Sequence, residues 1–141
     1  FKLEGKRILE NGGKNAQNQP YFNIVDSLTV TDSVTGKYVH WETNRVHTWI
    51  EGSSNPFGKD DVFLINSSGT YKSNRSGTEK TIQVVIKDLR REVDCQWPVS
   101  GTIESTPLGL STRTVNFGTG TCDDKADLYV NGSFYKTIQL K

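Results

Sequence analysis

Apolar side chains recur with period two along this chain, and no segment repeats them with the 3.6-residue period of an amphipathic helix. Ile82, Val84 and Ile86 alternate in this way, as do Val62 and Leu64, and Thr112–Phe117 is a β-branched and aromatic run. Turn signals separate such runs: Asn11-Gly12-Gly13, Thr35-Gly36, Gly52–Pro56, Ser76-Gly77, Gly109, Gly118-Thr119-Gly120 and Asn131-Gly132. Strands at this spacing predict an all-β fold, an antiparallel sandwich or meander with short turns, a closed barrel being the other architecture open to it. The polar run from Lys14 to Pro20 reads as a loop, and Asp88 to Glu92 as one short helical turn.

The length of 141 residues suits one domain, 1–141. Hydrophobic residues make up 33% of the chain, below the usual share of about 45–50% even after allowing for the glycine counted in that share. The core must therefore be thin, with many side chains on wet faces. The net charge of +1 is made of interspersed acids and bases, which argues against nucleic acid as a partner because that needs a concentrated basic patch. No stretch approaches the roughly 20 apolar residues that span a bilayer as a helix. The opening Phe1-Lys2-Leu3-Glu4-Gly5 reads as a strand already under way, so a longer exported protein, with this domain as its C-terminal part, is the expectation.

The last hairpin can be read in two registers. Asn131-Gly132 invites a two-residue type I′ turn. A three-residue loop, Val130-Asn131-Gly132, would instead put Ala126, Leu128, Phe134, Ile138 and Leu140 on one face. A one-residue slip exchanges faces, so the shared apolar face favours the three-residue loop with Gly132 as a bulge residue at positive φ.

Cys95 and Cys122 are the only cysteines. An even count in an exported domain suggests a disulfide; two buried free thiols are the alternative. Chemistry-bearing clusters are otherwise thin. His40 and His47 would face each other only if Thr43-Asn44 were a hairpin turn, and with the two cysteines they would match no zinc spacing. Asp60-Asp61 and Asp123-Asp124 sit at turns, where aspartates ordinarily cap backbone donors rather than bind calcium. Gly118-x-Gly120 lacks the third glycine of a phosphate loop, and no Gly-x-Ser-x-Gly elbow occurs. No catalytic, metal or cofactor residue is assigned, and the expectation is a protein without enzymatic activity or cofactor.

Tyr38, Trp41, Trp49 and Phe57 cluster around one polar segment. They form either pillars of the core or a binding surface beside the Gly52–Gly58 loop, because large aromatic side chains serve both ends. Any interaction surface is expected here.

Three stretches carry a family likeness: Trp97-Pro98-Val99-Ser100-Gly101-Thr102-Ile103, then Thr112 through Asp124 with its Gly118-Thr119-Gly120-Thr121-Cys122-Asp123-Asp124 ending, then Asn131-Gly132. Trp49-Ile50-Glu51-Gly52 and Asp60-Asp61-Val62-Phe63 add upstream elements. Together they resemble the C-terminal region of Bacteroidetes-type envelope lipoproteins, most strongly from about Arg45 onward. Thr119 stands where that pattern usually has Asp, which weakens a calcium site at Asp123. The resemblance implies export to the periplasm, outer membrane or cell surface, and membrane attachment only through a lipid anchor upstream of Phe1. It implies no activity. The expected function is thus a non-enzymatic envelope or surface module acting as scaffold or binding domain toward glycans or proteins. A small hydrophobic-ligand carrier in a β-barrel is the alternative, and a carboxylate-dependent envelope hydrolase stands behind it.

Overall fold

The computed structural model describes all 141 residues and is a single antiparallel meander. Its strands are β1 (Lys2–Lys14), β2 (Pro20–Thr31), β3 (Tyr38–Glu51), β4 (Val62–Ser73), β5 (Lys80–Glu92), β6 (Ser100–Pro107), β7 (Arg113–Thr119), β8 (Lys125–Val130) and β9 (Ser133–Gln139), with one 3-10 turn at Gly58–Asp60. Each strand pairs only with its sequence neighbours, so β1 and β9 are the two free edges and the sheet does not close into a barrel. Of the architectures open to the sequence, the meander is the one formed.

Register sets which residues share a face. Phe22–His47–Ile65–Leu89, Ile24–Arg45–Ser67–Ile86–Ile103–Val115–Leu128 and Leu28–Trp41–Tyr71–Ile82 are rows of paired residues on one side. That side is the apolar face. The other carries rows such as Ser27–Glu42–Thr70–Gln83–Thr106 and is mostly polar. Only 8 of 141 residues are buried, the thin core that the composition demands.

What core there is lies toward the chain's second half. Leu89, Phe117 and Ala126 form its centre, with Ile65, Ile86, Ile103, Val115, Ile138 and Leu140 packed against it. These side chains come from the apolar face of β4 to β9 and, for Leu140, from the residue just past β9. In a flat sheet strands two apart are separated by about 9.6 Å, so this clustering requires the sheet to curl toward its apolar side here. Gly101 permits it: a Cβ there would overlap the Asp88 carbonyl and come 2.6 Å from Leu89 Cα, and its φ of +93° belongs to glycine. The connection from β5 to β6 folds against this end. Cys95 and Val99 are buried, Val99 donates its N–H to the Arg90 carbonyl at 3.0 Å and accepts that of Gly120 at 2.8 Å, and the Cys95–Cys122 disulfide ties it to the β7–β8 connection.

Two local expectations are corrected. Asp88–Glu92 is strand, not a helical turn. Asp88 takes φ 48° as a bulge residue, and the Asn66 side chain bridges the gap in the ladder by accepting the Asp88 N–H at 2.9 Å and donating to Oδ1 at 3.2 Å. The last hairpin has a two-residue turn, with Val130 opposite Ser133 and positive φ at both Asn131 and Gly132. Tyr135 is an extra residue beyond the turn, since Tyr129 pairs with Phe134 but Leu128 with Lys136. That bulge brings Ile138 onto the face of Ala126, as the hydrophobic pattern requires, while Leu128 and Phe134 point to opposite faces. Phe134 instead meets Tyr129 edge-on at 5.8 Å.

Candidate functional site

β3 runs through the middle of the long-stranded half, flanked by β2 and β4. Side chains alternate along a strand, so its aromatic residues divide. Trp41 and Trp49 lie on the apolar face, both half-buried, and Trp49 stacks on Phe63 with centroids 5.6 Å apart. Tyr38 lies on the opposite face, where its hydroxyl donates to the Glu79 carboxylate. That bond, partial desolvation of the hydroxyl and the Glu79 charge raise the phenol above its ordinary value. Phe57 sits beyond the strand in the Gly52–Gly58 loop, 75% exposed. Asn55 holds that loop, accepting the Phe57 N–H at 2.8 Å and donating to Asp60 at 2.7 Å. The four aromatic residues that cluster in sequence therefore divide into three separate features, and only Trp41 and Trp49 share one.

Between those two tryptophans the same face carries Thr43, Arg45 and His47. Thr43 Oγ1, Arg45 Nε, His47 Nε2 and Trp49 Nε1 are all buried with no hydrogen-bond partner. Thr43 is 5% exposed. It leans over Gly69, where a Cβ would come 2.7 Å from the Glu42 carbonyl. Burial first, and the Arg45 charge second, push the His47 imidazole below its ordinary value. Thr43 pairs in register with Asp26 on β2, which is 1% exposed. Arg7 of β1 grips that carboxylate with both prongs, Nε to Oδ1 at 2.6 Å and Nη2 to Oδ2 at 2.8 Å. These bonds hold Asp26 below the usual carboxylate range against the opposing effect of burial, with the Arg45 charge adding to the shift.

The sequence reading missed this row because it admitted a turn at Thr43-Asn44. The signal was present in the alternation Trp41, Thr43, Arg45, His47, Trp49. With β3 continuous, His40 and His47 lie on opposite faces, and His40 bonds Thr29 Oγ1 at 2.7 Å through Nδ1. No three His, Cys, Asp or Glu side chains gather as a metal-ligand set. Asp123 caps the Lys125 N–H at 3.0 Å and Asp124 accepts from Gln139 at 2.8 Å, the ordinary work of turn aspartates. Glu51 and Glu92 both bind Arg90, at 2.8 and 3.1 Å.

Two open clefts lie at the end of the sheet that carries the β2–β3 and β6–β7 turns. One of about 550 Å³ is bordered by Phe1, Val30, Val39 and Trp41 beside Lys37 and Arg75. The other, about 580 Å³, lies between Ile82, Pro107 and Leu110 with Lys80 and Arg113. Comparison with protein-family models, characterised proteins and solved structures finds no match to this chain.

Proposed function

We propose that this chain is a non-enzymatic binding module of the cell envelope or cell surface, and that its contact surface is the apolar face of β1–β3. One observation carries the reading: that face presents apolar and aromatic side chains along long strands, yet no second layer of the chain covers them. Large uncovered apolar patches on soluble domains mark interaction sites. The disulfide suits an oxidising compartment, and the lipoprotein resemblance points the same way. The partners proposed are envelope glycans or proteins.

The cleft at Trp41, within the size range of small-molecule sites, favours a second reading as a carrier of small hydrophobic ligands, although an open sheet gives such a ligand only one wall. An envelope-glycan array probed with face-specific variants tests the first reading. Leu28→Lys, and Leu9→Lys at an already exposed position on the same face, should abolish retention. Val25→Lys on the polar face should not. Equal effects from the two faces would refute the assignment.

A further inference from the structure

The row on β3 points to a class of ligand. Three arginines in the molecule are half-buried: Arg45, Arg90 and Arg91. Arg90 is paired with Glu51 and Glu92, and Arg91 donates to the Gln96 carbonyl at 3.2 Å. Arg45 has neither an ion pair nor a hydrogen bond, and its Nε is enclosed. A guanidinium in half-apolar surroundings without an acceptor is costly, and its planar fork matches a carboxylate.

Resting on the reading that this face is a binding surface, we propose that the β3 row recognises an acidic glycan, Arg45 receiving a uronate carboxylate. The neighbouring unpartnered groups are mainly donors: the Thr43 hydroxyl, the Trp49 indole N–H and one tautomer of His47. A hydrocarbon ligand would leave all of them unpartnered. A polyhydroxylated one supplies acceptors along the row and offers C–H faces to the rings of Trp41 and Trp49. These tryptophans are eight residues apart on one strand, about 27 Å, which calls for an oligosaccharide rather than a single sugar. Asp26, already satisfied by Arg7, repels a second anion beside Thr43, so a sparsely charged glycan is favoured over a dense polyanion. The four atoms lie beneath a row that is half-buried except at the buried Thr43, and side-chain rotamer shifts of the kind common at interfaces expose them.

The test is calorimetric titration of the full chain with oligogalacturonate, oligoalginate and hyaluronan fragments, each beside its carboxyl-reduced neutral counterpart, with dodecanoate as a hydrocarbon acid. The hyaluronan series, with its carboxylates on alternate sugars, should bind most tightly, and tenfold or more tightly than its reduced form. Arg45→Gln should erase that preference, and Arg45→Lys should restore part of it, with melting curves confirming the fold. Three results overturn the proposal: acidic and reduced forms binding alike, no uronate binding tighter than about 1 mM, or dodecanoate binding better than every uronate oligomer. The first leaves the face assignment standing if Leu9→Glu still abolishes binding. If Leu9→Glu and Leu28→Glu both leave uronate binding intact, the face assignment fails by itself.

Discussion

Removing the disulfide is the sharpest test of how this thin-cored sheet is held together. Cys95 and Cys122 are 27 residues apart, and a loop of that length restricts the unfolded chain by about 12 cal/mol/K, or roughly 3.6 kcal/mol at 25 °C. Unfolding a chain of this size has an entropy of about 300 cal/mol/K near its midpoint, so the melting temperature should fall by about 12 °C. The variant is Cys95→Ala with Cys122→Ala, because alanine leaves no polar atom at the buried Cys95 position. Circular dichroism melts of this variant and of the reduced wild type should agree. The urea m-value should rise slightly, since the released unfolded chain exposes more surface. A melting shift below about 4 °C, with an unchanged m-value, would show that the bridge does not act through the unfolded chain.

Gly101→Ala should cost roughly 3 kcal/mol in urea titrations, from positive-φ strain together with overpacking against Leu89; a loss below about 1 kcal/mol would mean that β5 and β6 separate easily. Arg7→Ala should destabilise more than Asp26→Asn, because the first strands a buried carboxylate and the second leaves an exposed arginine in water; equal or reversed losses in the same titration refute the asymmetry. Asp26, held below its ordinary 3.8, contributes stability present above that pH and lost as pH falls through the folded value. His47, held below 6.5, contributes stability that is present above 6.5 and declines as pH falls below it toward the folded value, where only the unfolded state takes up the proton. Denaturant midpoints of wild type and His47→Gln between pH 8 and 5 should diverge in that window, and parallel curves would contradict the shift.

The fold was legible where side-chain period and turn chemistry act locally. Alternation, the turn signals and the low apolar content suffice for an all-β antiparallel fold with few buried residues, while the choice of a meander over a sandwich or barrel comes from the strand order. Errors arose where one residue leaves the pattern without ending the strand. Asp88 at positive φ looks like a break, but the Asn66 amide, 22 positions away, completes the ladder. At the last hairpin, turn chemistry and hydrophobic pattern demanded different registers. The bulge at Tyr135 keeps the two-residue turn and restores the pattern for Ile138 but not for Phe134, and nothing local in the sequence announces it. In the candidate site, Trp41 and Trp49 were legible, while Arg7–Asp26 depends on a strand pairing 19 residues long in sequence.

The two halves of the sheet should also differ in dynamics. Strands β1–β4 run 13, 12, 14 and 12 residues, and β6–β9 only 8, 7, 6 and 7. Long ladders alone do not confer protection, because opening requires only that backbone groups exchange partners with water. Protection rises where opening also exposes packed apolar surface. That surface is concentrated at Leu89, Phe117 and Ala126 beside the disulfide, whereas β1 is an edge strand with almost every residue exposed. Native-state hydrogen exchange should therefore find the amides of β1 opening first and those around Leu89 and Phe117 last. The short interior strands β7 and β8 would thus be more protected than the 13-residue β1, opposite to an ordering by ladder length. Should β1 amides prove as slow as that of Leu89, something other than this chain's own packing must cover the edge, and concentration dependence of the exchange would distinguish a second copy from a ligand.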